Sequence, residues 1–131
     1  MKIIHKGQLS APLNGKLNYN AWGSITTLSG NEMMAVWSGD RYAHICPFGK
    51  VLASRSHDGG YTWTPPYPVI NTPLDDRDAG IVKAGDHLIL TSFNNSRERQ
   101  RFYADKGKYP ADKRAFVEAS LNLVSDEDER K

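Results

Sequence analysis

The chain has 131 residues, 39% hydrophobic and 24% charged, with a formal net charge of +2; it has room for one small globular domain, and the small, dispersed charge argues against nucleic acid as a partner. A single cysteine, Cys46, excludes an internal disulfide and a multi-cysteine zinc site. No apolar run approaches membrane-spanning length, and the opening Met1-Lys2-Ile3-Ile4-His5-Lys6 lacks the apolar stretch of a secretion signal, so the sequence implies no membrane and leaves the compartment open.

Up to about Phe93 the pattern is β. Ser24-Ile25-Thr26-Thr27-Leu28 reads as a strand, Ser29-Gly30-Asn31 as its turn and Met33-Met34-Ala35-Val36-Trp37 as the returning strand. A polar loop follows from Gly39 to Lys50, then a third strand, Val51-Leu52-Ala53-Ser54-Arg55. Ser56 to Tyr61 forms a tight turn, and Thr62-Trp63-Thr64 begins a fourth strand. Pro65, Pro66 and Pro68 keep that strand short or at an edge, because proline donates nothing to a ladder.

The pattern then restarts. Gly80-Ile81-Val82-Lys83 is a strand, Ala84-Gly85-Asp86 a turn and His87-Leu88-Ile89-Leu90-Thr91 the return. The hairpins Ser24–Trp37 and Gly80–Phe93 read as one unit used twice, about 56 residues apart. After Phe93 the chain becomes rich in Arg, Lys, Asp and Glu. Within this part Asp112 to Val124 reads as a helix, with Val117, Leu121 and Val124 on one face, and Asp126 to Lys131 reads as a solvated charge run.

The most specific motif is Ser56-His57-Asp58-Gly59-Gly60-Tyr61-Thr62-Trp63, which fits Ser-x-Asp-x-Gly-x-Thr-Trp at Ser56, Asp58, Gly60, Thr62 and Trp63. The Ser hydroxyl and the Asp carboxylate can bond nearby backbone N–H groups, the glycines allow positive φ, and the indole supplies an apolar plate. The expected role is structural rather than catalytic.

This motif is an Asp-box, and with it the chain from about Tyr19 to Phe93 resembles the bacterial sialidase (neuraminidase) repeat family. The segments Trp37-Ser38-Gly39-Asp40-Arg41, His44-Ile45-Cys46-Pro47-Phe48-Gly49-Lys50 and Asp75-Asp76-Arg77-Asp78-Ala79-Gly80 carry the rest of the likeness. The resemblance implies an all-β fold: a partial β-propeller with a first four-stranded blade at about 19–70, the start of a second at about 75–93, and a charged, partly helical segment over 94–131. The remaining blades are absent from this chain, so the piece is expected to be weakly stable or to associate, and to be inactive alone.

Strand parity places the entry segment Asn20-Ala21-Trp22, the Asp40–Lys50 loop and the Leu74–Asp78 segment at one end of the sheets. The Asp-box lies at the other, with Ser29–Asn31 and Ala84–Asp86. The first end collects Asp40, Arg41, His44, Asp75, Asp76, Arg77 and Asp78, which suit an acidic sugar: a guanidinium grips a carboxylate bidentately, and a carboxylic acid protonates a glycosidic oxygen. Arg41 and Arg77 are the expected substrate-binding arginines and Trp22 a sugar platform; Asp76, Asp78 or His44 would act as acid and base. The bland alternatives are a surface ion pair for Arg41, a self-bonded turn with a paired Arg77 for the Asp75–Asp78 stretch, and a core plate for Trp22. The family's first-strand Arg-Ile-Pro motif is replaced here by Asn20-Ala21-Trp22-Gly23-Ser24, which removes an arginine that grips sialic acid. Two functions follow from the likeness: part of a glycoside hydrolase acting on a terminal acidic sugar, or a glycan-binding module that does not cleave. Neither requires a metal or another cofactor.

Overall fold

The structure, a computed structural model, describes residues 2–3, 5–9 and 17–130. Met1 and Ile4 of the opening segment and Lys131 of the terminal charge run lie outside the described residues. The chain is mostly β, in two open sheets with two helices. Strands β1 (Tyr19–Ser29), β2 (Glu32–Arg41), β3 (Lys50–Ser56) and β4 (Tyr67–Ile70) form an antiparallel sheet in chain order. Strands β5 (Asp75–Ala84) and β6 (His87–Asn95) form a second, two-stranded sheet.

The expected strands are present, most of them longer than the apolar runs that mark them. β2 is buried on both faces, so its residues divide by parity. Met34 and Val36 join Val51, Ala53, Ala79 and Ile81 in one core cluster; Ala35 and Trp37 join Leu52 in another. β5 lies across β1, β2 and β3, so the first cluster is the seam between the sheets. Ser24 and Thr26 lock this seam with hydroxyls: Ile81 N donates to Ser24 Oγ at 3.2 Å and Lys83 N to Thr26 Oγ1 at 3.2 Å.

The fourth strand differs from its expected start. Thr62-Trp63-Thr64 follows β3 only through isolated bonds, such as Thr64 N to Arg55 O at 2.8 Å, and β4 opens at Tyr67. Pro65 and Pro66 have no N–H to continue a ladder. Pro68 sits inside β4 opposite Leu52, which an edge strand permits.

The two hairpins repeat in detail. In β1 the two residues between Ala21 and Ser24 oppose one on β2, and in β5 the two between Arg77 and Gly80 oppose one on β6. These are β-bulges, and each has a residue in the left-handed region: Trp22 at φ 54° and Asp78, 56 residues later, at φ 54°. Asp40, where β2 slips against Tyr19, has φ 53°. A bulky side chain at positive φ costs about 1–3 kcal/mol. All three strained residues lie at the same end of the sheets.

After β6 come α1 (Arg97–Asp105) and α2 (Ala111–Leu121). Ser96 caps α1, its hydroxyl accepting from Arg99 N at 3.2 Å. Val117 and Leu121 of the expected face are 0% exposed and pack on Ile45, Ala104 and Tyr109; the helix ends at Leu121, short of the expected Val124, which follows it at 5% exposure. The terminal charge run is not simply solvated: Asp128–Arg130 forms a 3-10 turn, Arg97 N donates to Glu129 Oε1 at 2.5 Å, and the Arg97 guanidinium pairs with Asp126. Among the described residues no helix is long and apolar enough to cross a membrane.

At the opposite end, the Asp-box closes on itself. Ser56 Oγ accepts from Gly60 N at 2.8 Å and donates to Asp58 Oδ1 at 2.8 Å. Asp58 accepts from Thr62 N at 2.9 Å and Thr62 Oγ1 at 2.6 Å. Trp63 donates its indole N–H to Gly60 O at 3.1 Å and packs on the Trp37 cluster. The bonds from Thr62 and Ser56 hold the Asp58 carboxyl down from 3.8 to about 2. A depressed native value makes the turn stabilising above the ordinary 3.8, and that contribution is lost as pH falls through about 2. We expect Asp58→Asn to lower the thermal midpoint near neutral pH and to flatten the acid limb between these values. Circular dichroism melts across that range check it; an unchanged acid limb contradicts this role.

Candidate functional site

The site lies where β1, β2 and β5 end together, away from the Asp-box. Its base is a buried ion pair. Arg41, the last residue of β2, and Asp75, the first of β5, are both 0% exposed, with Nη2 to Oδ1 at 2.5 Å. Arg41 also donates to Asp76 O at 3.0 Å and His44 O at 2.8 Å. The second oxygen of Asp75 accepts from Asn95 Nδ2 at 2.9 Å and faces Arg77 Nη1 at 3.6 Å. Buried charges need partners of this kind, because desolvation costs several kcal/mol per ion. Gly49 makes room for it: a Cβ there would fall 2.5 Å from Asp75 Oδ1 and closer still to the guanidinium.

A second layer lies above this base. Arg77 stacks on the Trp22 indole, its guanidinium carbon 4.7 Å from the ring centroid, and Nη2 lies 3.4 Å from His44 Nε2. His44 meets the same indole edge-on at 4.9 Å. The bulges set this geometry, turning Trp22 and Asp78 out of strand alternation. Partial desolvation, then the guanidiniums of Arg77 and Arg41, hold the His44 imidazole below its ordinary 6.5. Asp78 donates its backbone N–H to Ser38 Oγ at 2.8 Å, and its carboxylate lies 3.5 Å from Arg77 Nε without hydrogen-bond geometry.

The expected site residues are therefore brought together, in two groups. Trp22, His44 and Asp78 reach the surface at the end that strand parity selects, with Arg77 beneath them. Arg41 and Asp76 lie below that surface. Asp76 is 1% exposed, and its carboxylate closes a turn, accepting from Thr72 N at 2.6 Å and Thr72 Oγ1 at 2.9 Å. Burial nevertheless raises its carboxyl above the ordinary 3.8. Asp75 is expected at this end of the sheets, as a candidate acidic residue rather than as Arg41's partner; Asn95 is not, and the two-fold use of the hairpin, with Asn95 opposite Asp75, is the signal that could have paired them.

Behind the base, Tyr42, Cys46, Gln100 and Tyr109 form a polar lining to the helical cluster. Burial pushes both phenols and the thiol upward, so none is a ready nucleophile. Phe48 stacks on Phe116 of α2 at 5.0 Å, which joins the loop after β2 to the helices. Among the described residues no group of three or more His, Cys, Asp or Glu side chains is placed to hold a metal ion. The site can hold an anion near Arg77, stack a planar or apolar ring face on Trp22, and offer a neutral imidazole.

Comparison with known proteins adds no relative: no family model, no curated protein and no solved structure matches this chain.

Two outcomes follow from the geometry. Asp75→Ala or Gly49→Val breaks into the buried pair, and we expect Asp75→Ala to cost about 3–5 kcal/mol by urea unfolding; a loss under about 1 kcal/mol, the scale of a surface pair, contradicts a buried base. His44 has a depressed native value, so its stabilising contribution is complete above the ordinary 6.5 and falls away as pH drops below it. His44→Gln should flatten the urea midpoint against pH on that limb; an unaltered slope contradicts the contact with the two guanidiniums.

Proposed function

We propose that the chain is part of a sialidase-like β-propeller, one blade and the start of a second, and that its strand-end cluster binds a terminal acidic sugar. The observation that carries this is the joint placement of Trp22, His44, Arg77 and Asp78 over the buried Arg41–Asp75 pair, at the end opposite the Asp-box. The ordered meander β1-β2-β3-β4, with a second bulged hairpin laid across its face, supports the blade reading.

Arg77 is the carboxylate contact in this reading. Its polar contacts are all long, 3.4 Å to His44, 3.5 Å to Asp78 and 3.6 Å to Asp75, so it can exchange them for a shorter bond to a ligand carboxylate. Trp22, 37% exposed, takes the apolar face of the ring. Neutral His44 bonds a sugar hydroxyl or accepts a proton. Arg41 is fully buried, its two terminal nitrogens taken by Asp75, Asp76 O and His44 O, and acts by positioning. If the parent protein is a glycoside hydrolase, Asp78 is the carboxylate best exposed to serve as acid, and the rest of the machinery comes from other blades.

The second reading is a glycan-binding module without cleavage. It is favoured by Asp76: the carboxyl raised towards an acid's role is buried and bonded to Thr72. A panel of terminal sugars, titrated by NMR and followed for release of free sugar, separates the two. We expect acidic sugars to bind, and Trp22→Ala or Arg77→Gln to weaken binding about tenfold or more, the scale of one stacking or charge-assisted contact. Asp58→Asn should leave binding intact. Release of sugar by the parent protein, abolished by Asp78→Asn, favours the hydrolase; acidic-sugar binding without release favours the module. Binding indifferent to Trp22 and Arg77 contradicts both.

A further inference from the structure

The repeat that builds the sheet seam also leaves part of each of its two halves exposed among the described residues. The face of the first sheet that receives β5 presents Ser24, Thr26 and Leu28 from β1 and Met34 and Val36 from β2. Stepping along the repeat, with registers Ser24 to Val36 and Gly80 to Thr91 equivalent, the same face of the second sheet presents Gly80, Val82, Ala84, Ile89 and Thr91. That face is uncovered: Val82 is 52%, Ile89 47% and neighbouring Phe93 53% exposed.

The reverse holds on the first sheet. The second sheet docks through Ala79, Ile81 and Leu90. Their equivalents are Gly23, Ile25 and Ala35, which point away from the seam. Among the described residues they line an open groove of about 440 Å³ with Leu9, Trp22 and Trp37, in which Ala35 and Trp37 are the buried floor, packed with Leu9 and Trp63, and Gly23 and Ile25 the open side. Ile25 at its rim is 51% exposed. One face of the molecule thus repeats the receiving half of its internal seam, and another repeats the docking half.

We propose that a second copy of the chain docks head to tail, its Ile25 groove against the Val82–Ile89–Phe93 face of the first. The contact continues an interface the molecule already makes, so register and apolar pattern are matched in advance. It is heterologous, because the two faces differ, and each added copy presents a new receiving face. It is weaker than the internal seam, because Gly80 and Val82 stand where Ser24 and Thr26 supply hydroxyl bonds across it. This inference rests on the repeat and is independent of any sugar.

Sedimentation velocity over a concentration series tests it, with Ile25→Glu and Ile89→Glu as variants. Both positions are exposed, and far-UV circular dichroism with a thermal melt confirms folding; Val82→Glu replaces Ile89→Glu if that variant is unfolded. The wild-type chain should shift from monomer to dimer and larger species as concentration rises to about 200 μM, a range that reads weak association. Each variant alone should form dimers at most weakly. An equimolar mixture of the two should recover a one-to-one dimer and nothing larger, because one variant keeps the groove and the other the receiving face. A wild-type chain that stays monomeric throughout overturns the proposal. So does association that survives both substitutions, or a mixture that stays monomeric while the wild type associates, which would mean a two-fold contact through one face.

Discussion

Everything at the strand-end cluster depends on the Arg41–Asp75 pair. Two charges out of contact with water are tolerated only when they are paired and hydrogen-bonded by their surroundings. The chain supplies those partners from five places: the end of β2, the carbonyls of His44 and Asp76, the start of β5, the end of β6 through Asn95, and α1, where Gln100 donates to Asn95 O at 3.1 Å; Arg41 Nε alone of the guanidinium nitrogens has none. The pair therefore joins both sheets and the helical segment. It also shapes the surface above it. With one oxygen of Asp75 taken by Arg41 and the other shared with Asn95, Arg77 keeps only a long contact to that carboxylate and leans instead on Trp22 and His44.

The two ends of the molecule handle polarity in different ways. The Asp-box is closed locally, within Ser56 to Trp63, and its carboxylate is at ease as an anion. The other end is closed over long range, through residues more than thirty positions apart. Strain is confined to it: Trp22, Asp40 and Asp78 all sit at positive φ. Long-range closure, strain and a loosely paired arginine thus stand at one end, against local closure at the other.

Much of the fold was legible in the sequence because its signals are local. Apolar runs marked β2, β3 and β6, glycines marked the turns, and the Asp-box announced its own hydrogen bonds. The spacing of Val117, Leu121 and Val124 located α2. What escaped lacks a local signal. α1 buries only Gln100 and Ala104, so its charged sequence shows almost no apolar face. The prolines moved the start of β4 by breaking the ladder after Thr64. The charge run is tied down by Arg97, a partner some thirty residues away that no window on the run contains. At the site, the residue types were readable but the roles of Arg41 and Asp76 were not, because burial and the Thr72 bond are products of folding.

The bulge at Trp22 divides β1 into two stretches whose inside and outside are set separately. Adding or deleting a residue on the Tyr19 side re-phases only the stretch beside the cluster. The same change on the Ser24 side would turn Ser24, Thr26 and Leu28 out of the seam, as a slip of one does in any strand. Asp78 divides β5 in the same way. Insertions and deletions can therefore remodel the strand ends while the core keeps its phase, so the shape of this surface can drift through changes in chain length at little cost to folding.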